Sequence, residues 1–245
     1  MKEKKTVIGI IALAIIIIIA GFVGMQLFGK SNKDDNKSGE TKTETALTAV
    51  YNKMQIGNDN NGYTMSLRLI GGYKDKSYNE DVIINSYKNE KLKITEVSNT
   101  TGKAKERHLY MIQSLVYTEV KAGLYRKSEE KTNYTNPNIY LKTLENAQGL
   151  SAGASDGLDG VTYTKYTYSS KKETVKELLK YTALGDIVVN SDTSTTVWVD
   201  AKGYVYKIEY NLGPSVSENE TLILTVYYYG INQAVDYKYE DTALN

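Results

Sequence analysis

The chain has 245 residues, with 30 basic and 29 acidic side chains, one His and no Cys. Such a near-neutral balance, with Arg at only three positions (Arg68, Arg107 and Arg126), excludes the concentrated basic face that nucleic-acid binding requires. The missing Cys rules out a disulfide framework, a thiolate metal site and an acylated lipoprotein Cys, and a lone His108 rules out His-pair metal centres.

The N-terminus sets the first element. Lys2, Lys4 and Lys5 precede an uncharged apolar run from Val7 to Phe28, which Lys30 closes. At about 1.5 Å per residue this run is roughly 33 Å long as a helix, enough to cross a bilayer. A cleavable signal has an apolar core of only about 7–15 residues. The small-residue stretch from Ala20 to Gly24 also puts bulky Ile18 or Phe22 where cleavage needs a small side chain. The expectation is therefore an uncleaved single-pass anchor over 1–29. Its basic end stays cytoplasmic and everything after Lys30 is extracytoplasmic, at the cell membrane. The anchor takes three Lys and one Glu with it, leaving 27 basic and 28 acidic groups for the remainder.

Residues 30–43, including "KSNKDDNKSGETK", carry no apolar side chain and read as a disordered tether. A coil of that length reaches on the order of 20 Å, which keeps the following domain, 44–245, close to the membrane surface. The domain opens on a helix. Leu47, Val50, Tyr51 and Met54 share one face, Thr41 with Glu44 has capping-box spacing, and Gly57 is a stop. Strands follow. In "YTMSLRLI" the residues Tyr63, Met65, Leu67 and Leu69 alternate with polar ones, the period of a half-buried strand. Further strands are expected in "DVIINSY", "KLKITEVS", "LYMIQSLVYTEV" and "GLYRKS".

A short helix is expected after Pro137. Beyond it lies "NAQGLSAGASDGLDG", Asn146 to Gly160, whose four Gly suggest a moving part able to gate a pocket. After the strand "VTYTKYTYS" comes a second amphipathic helix, with Ser170 and Glu173 as its capping box. Val175, Leu178, Leu179 and Thr182 form its buried stripe, and Gly185 is its end. The last quarter supplies "TTVWVD", "YVYKIEYN", "TLILTVYYY" and a short final strand in "AVDYKYE". Tight turns between successive strands make them antiparallel. The fold class is α+β.

The hairpin "TTVWVDAKGYVYKIEYN" has Gly203 where the loop needs positive φ, and Asp200 placed to bond into the turn. Trp198, Asp200, Gly203 and Val205, followed by Tyr229, Gly230 and Val235 at the end of the next long strand, resemble the C-terminal part of LolA-like lipoprotein carriers and of the LppX/LprG-type lipid-binding lipoproteins. The motif part of the likeness covers about residues 195–240, and an N-terminal helix followed by a meander agrees with it. The resemblance implies a curved, unclosed antiparallel β-barrel covered by two or three helices.

A sheet faced by amphipathic helices holds either a filled core or a pocket for an apolar ligand. The candidate inward positions are Met65, Leu67 and Leu69; Leu92 and Ile94; Trp198; Tyr204, Tyr206 and Ile208; and Leu222, Leu224 and Val226. They are the candidate ligand-binding residues for a lipid or other apolar group. Two other readings stay open. One is a surface module with a filled core that contacts a protein or cell-wall glycan through a sheet edge or Tyr patch. The other is a sensor that works with a membrane protein partner. The 22 Tyr against two Phe fit rings with one wet end, or strand residues on an exposed face.

Enzyme chemistry has little support. A Ser-His-Asp set would have to use His108, and neither a nucleophile elbow nor a phosphate-binding loop is present. Asp156 and Asp159 lack the spacing of a calcium loop. The expectation is a binding protein with no catalytic residues, metal or cofactor.

Overall fold

The computed structural model describes residues 40–233, apart from 58–59, 75, 89–90, 99–104, 113–114, 130–135, 148, 152 and 159, and gives the backbone alone at 40–45 and 105. The chain divides into two units, Met1–Lys37 and Ser38–Asn245, and every described residue lies in the second. The anchor over 1–29, the first part of the tether, the final strand over 234–240 and the side chains of the Thr41–Glu44 cap lie outside the described residues. Among the described residues, no helix is long and apolar enough to cross a membrane.

Helix α1 (Glu40–Met54) begins within the stretch read as tether. It leads into a six-stranded meander: β1 (Gly62–Tyr73), β2 (Lys76–Tyr87), β3 (Lys91–Ser98), β4 (Lys105–Ile112), β5 (Leu115–Lys121) and β6 (Leu124–Ser128). The chain then crosses back through a 3₁₀ turn (Pro137–Leu141) and α2 (Lys142–Glu145). It re-enters the sheet as β7 (Ala154–Leu158) and β8 (Val161–Ser170), followed by α3 (Lys172–Leu179). Strands β9 (Thr193–Val199) and β10 (Val205–Asn211), a one-turn helix α4 (Gly213–Val216) and β11 (Ile223–Tyr229) complete the described chain.

The strands form one antiparallel sheet in the order β6-β5-β4-β3-β2-β1-β11-β10-β9-β8-β7. It does not close, since β6 and β7 are its edges. Its middle is the pairing of the first strand with the last, Leu67 opposite Val226. That pairing follows from the crossover: one meander runs outward from β1, the chain is carried to the far edge, and a second meander returns to β1.

One face of the sheet is apolar in continuous cross-strand rows. Leu109, Ile94, Ile84, Met65 and Tyr228 form one row, and Val82, Leu67, Val226, Ile208 and Val197 the next. All are buried. Against this inner face pack Leu47, Val50 and Met54 of α1, Ile139 to Leu141, Leu144 of α2, and Val175, Leu178 and Leu179 of α3. Each fully buried aliphatic side chain contributes about 1.5–3 kcal/mol, so the rows and their cover account for the association of the two layers.

Local chemistry departs from expectation in three places. The capping box of α3 is not made: Ser170 is drawn into the sheet, its Oγ 2.7 Å from Thr195 Oγ1, and the first turn is capped instead by Asp192, which accepts the Lys172 N–H at 3.0 Å. Helix α3 also stops at Leu179, with Thr182 buried in the turn that follows, where its hydroxyl donates to Leu179 O and accepts from Leu184 N. Finally, Ala154–Leu158, within the Gly-rich stretch read as a moving part, is the edge strand β7 paired with β8.

Candidate functional site

The β9–β10 hairpin forms as its residues dictate. Gly203 has φ +81°, and Asp200 accepts the N–H groups of Lys202 at 2.8 Å and Tyr204 at 2.9 Å. Of the expected inward residues, Met65, Leu67, Leu69, Leu92, Ile94, Ile208, Leu222, Leu224 and Val226 are buried in the core beneath the cover. Tyr204 is half-buried at the hairpin, with the Lys53 ammonium of α1 4.4 Å from its ring.

Trp198 and Tyr206 do not face inward. Val197 and Val199 take the inner positions of β9 and leave Trp198 on the outer face, opposite Lys165 and Lys207. On β10 a bulge between Val205 and Lys207 breaks the alternation, so Tyr206 and Lys207 both turn outward while Ile208 returns to the core. There the Tyr206 ring stacks on Tyr163 (4.5 Å, 17°) and meets Tyr227 edge-on at 5.9 Å. The Trp198 indole N–H donates to Asp156 at 2.8 Å, and Lys207 Nζ lies 4.1 Å from its ring and 2.9 Å from Glu209. Trp198 is only 5 % exposed, shielded by these side chains. Asp156 of β7 is a partner that the sequence reading missed. An indole N–H that loses water must find an acceptor, and that is the one signal that could have suggested it.

Tyrosine also lines the interior. Tyr63, Tyr140, Tyr168, Tyr210 and Tyr228 are buried between sheet and cover. Tyr63 donates to Asn138 at 2.7 Å, Tyr140 to Tyr181 O at 2.8 Å, and Tyr210 to Tyr140 O. Thr143 Oγ1 of α2 lies 2.9 Å from the Tyr168 hydroxyl and 3.1 Å from that of Tyr210. Burial pushes the phenols of Tyr63, Tyr168, Tyr210 and Tyr228 above the ordinary range, and for Tyr228 the neighbouring phenols Tyr63, Tyr210, Tyr140 and Tyr168 push further the same way. Among the described residues, the 3₁₀ turn and α2 are tied to the strands by such side-chain bonds and not by backbone ladders.

Apolar side chains of the sheet and of the helices pack together through this interior. At its margin, Leu67, Leu69, Glu80, Val82 and Leu224 of the sheet and Thr182 and Ala183 of the segment after α3 line an opening of about 10 Å³. That is room for about one water molecule. The segment from Lys180 to Asp192 is built of turns and irregular backbone, so the sheet's apolar face here meets an element with no ladder of its own.

No family model and no curated protein matches the chain. Among solved structures, LprF from Mycobacterium bovis superposes with a TM-score of 0.56 at 8% identity, covering 83% of this chain and 99% of that one. The Mycobacterium tuberculosis lipoprotein LppX superposes at 0.49 with 15% identity, over 80% and 97% of the two chains. The fold is the LolA-like one that the C-terminal hairpin resembles: a large, unclosed antiparallel sheet with few helices.

Proposed function

We propose that this protein binds a lipid or other apolar ligand between the inner face of the sheet and its helical cover. The observation that carries the reading is the seam beside Thr182 and Ala183. The buried side chains of Leu67, Leu69, Val82 and Leu224 line a small opening there under a segment without regular structure. The occupied state needs more room than the seam now holds. It forms by displacement of the cover, which side-chain contacts hold to the sheet. Such a pocket belongs to a minor conformation that a ligand makes dominant. The shared LolA-like fold and the resemblance of residues 195–240 support the same reading.

The apolar run from Val7 to Phe28 would anchor the chain, with the sheet domain extracytoplasmic, so that the ligand is held at the membrane and not shuttled over a distance. No step of bond making is invoked: this is a binding protein and not an enzyme. The test is organic extraction of the purified full chain followed by lipid mass spectrometry. A stoichiometric apolar species is expected. An empty extract, together with no binding of N-phenyl-1-naphthylamine, ends the proposal.

The outer cluster around Trp198 favours a second reading, a surface module that contacts a protein or cell-wall glycan through Tyr206, Tyr227 and Lys207. Retention of the full chain on isolated peptidoglycan, lost in Tyr206→Ala, would support it. Lack of retention removes the glycan version.

A further inference from the structure

Asn61-Gly62 is the only Asn-Gly pair in the chain. It joins α1 to β1, with Asn61 exposed and Gly62 buried as the first residue of the strand. Gly62 has φ +138°, a conformation that other residues rarely adopt, so the junction needs glycine there. The same glycine leaves its backbone nitrogen with no side chain to shield it from the neighbouring Asn61 amide.

That pair has a chemistry of its own. The Gly62 nitrogen attacks Asn61 Cγ and gives up its proton, the C–N bond of the side-chain amide breaks, and ammonia departs from a five-membered succinimide. Water then opens the ring at either carbonyl, giving Asp or isoaspartate. The sum is one water consumed and one ammonia released, with no change of oxidation state.

In the folded chain this attack is held off. Bringing the Gly62 nitrogen onto Asn61 Cγ rotates the peptide group between the two residues, and both ends of that group are tied. Its N–H donates to Asn60 Oδ1 at 3.0 Å, and its carbonyl, Asn61 O, accepts from Lys88 N at 3.2 Å. Asn60 is itself fixed: it is 1 % exposed and its amide donates to Met54 O, at the end of α1, at 2.9 Å. Asn232 clasps the junction from beyond β11, accepting from Asn61 N at 2.8 Å and donating to Gly62 O at 2.9 Å. The reaction therefore waits on a local opening of the α1–β1 junction.

We propose that Asn61 is a spontaneous modification site, guarded by Asn60, whose conversion to isoaspartate loosens α1 from the sheet. Isoaspartate routes the backbone through the former side-chain carbonyl. It adds one carbon between α1 and β1 and leaves a carboxylate where a neutral amide stood. The added length displaces the groups that Asn60, Lys88 and Asn232 hold, and Leu47, Val50 and Met54 depend on that junction for their seat on the inner face. The inference does not depend on what the interior binds.

The test incubates the purified full chain in mildly alkaline buffer and follows the peptide holding Asn61 by liquid chromatography and mass spectrometry, with isoaspartate identified by protein L-isoaspartyl methyltransferase. Conversion in the folded chain is expected to be at least about tenfold slower than in the urea-unfolded chain, because two hydrogen bonds must break first, and Asn60→Ala should speed it by about tenfold. In the isoaspartate fraction, the amides of Leu47 to Met54 should exchange with deuterium at least about tenfold faster than in the unmodified fraction. Equal rates in folded and unfolded wild type overturn the guard, and an unchanged rate in folded Asn60→Ala removes Asn60 from it. Should that variant not fold, the wild type in rising urea decides. Conversion that climbs ahead of the global transition supports opening at the junction, and conversion that climbs only with it refutes that opening. Unaltered exchange in α1 overturns the loosening, and no conversion even in the unfolded chain overturns the site itself.

Discussion

Leu67→Ala separates a filled core from a ligand space. Leu67 is 3 % exposed, sits between Val82 and Val226 in a cross-strand row, and borders the opening at Thr182 and Ala183. Removing three buried carbons loses their transfer energy and leaves a cavity, together about 3 kcal/mol for a site that relaxes only in part. For a domain of this size each kcal/mol lowers Tm by about 2–4 °C, so a fall of roughly 6–12 °C is expected. The new cavity adjoins the existing opening, however, and so enlarges the proposed site. A ligand present at about 100 times its Kd returns roughly 2.7 kcal/mol and should restore most of the lost Tm. The assay is thermal unfolding followed by the tyrosine near-ultraviolet signal, with and without N-phenyl-1-naphthylamine, in wild type and variant. A fall in Tm that the ligand does not recover refutes the idea that the seam leads to an apolar site. A negligible fall refutes the packing described for Leu67.

Spectrophotometric titration of the tyrosines should split in two. Burial holds the phenols of Tyr63, Tyr168, Tyr210 and Tyr228 above the ordinary range, so these four ionise only as the fold opens. Their folded pKa values lie above the unfolded ones, so the stability they confer is complete below about pH 10 and is lost as pH rises. The loss is about 1.4 kcal/mol per pH unit for each, or roughly 6 for the four. A single smooth titration with no loss of structure would contradict their burial. Gly71 has φ +129°, and a Cβ there would lie 2.3 Å from Thr221 O. Gly71→Ala should therefore destabilise by at least about 1–3 kcal/mol in urea unfolding, and a neutral result would mean that the β1 end is not held against Leu222. Lys207→Met removes a cation from the Trp198 ring and from Glu209, at a cost of about 0.5–1 kcal/mol. Because Trp198 is the sole Trp, its emission should shift in this variant yet respond little to a ligand in the interior, and a large response to an interior ligand would contradict its outward placement.

Much of the architecture was legible because it is local. The alternation of Tyr63, Met65, Leu67 and Leu69, the helical stripe of Leu47, Val50 and Met54, and the Asp200–Gly203 turn each depend on residues a few positions apart, and each is present. The same reasoning failed at Tyr206 because period-two alternation assumes an unbroken register, and a bulge inserts one residue into it. It failed at Trp198 because the two flanking valines already occupy the inner face and the indole N–H finds its acceptor on β7. Ser170 matched a capping box in spacing, but Thr195, 25 residues later, competes for its hydroxyl and wins.

The amino-acid sequence by itself determined which segments form strands and helices and which side of most strands is apolar, since these follow from backbone sterics and the period of side-chain direction. Tertiary structure alone decided that β1 pairs with β11, that β7 forms an edge, that Asp192 caps α3, and that Tyr63, Tyr140, Tyr168, Tyr210 and Tyr228 gather in one interior. Those outcomes depend on which distant groups compete for the same space and the same hydrogen bonds, and that competition exists only once the layers have met.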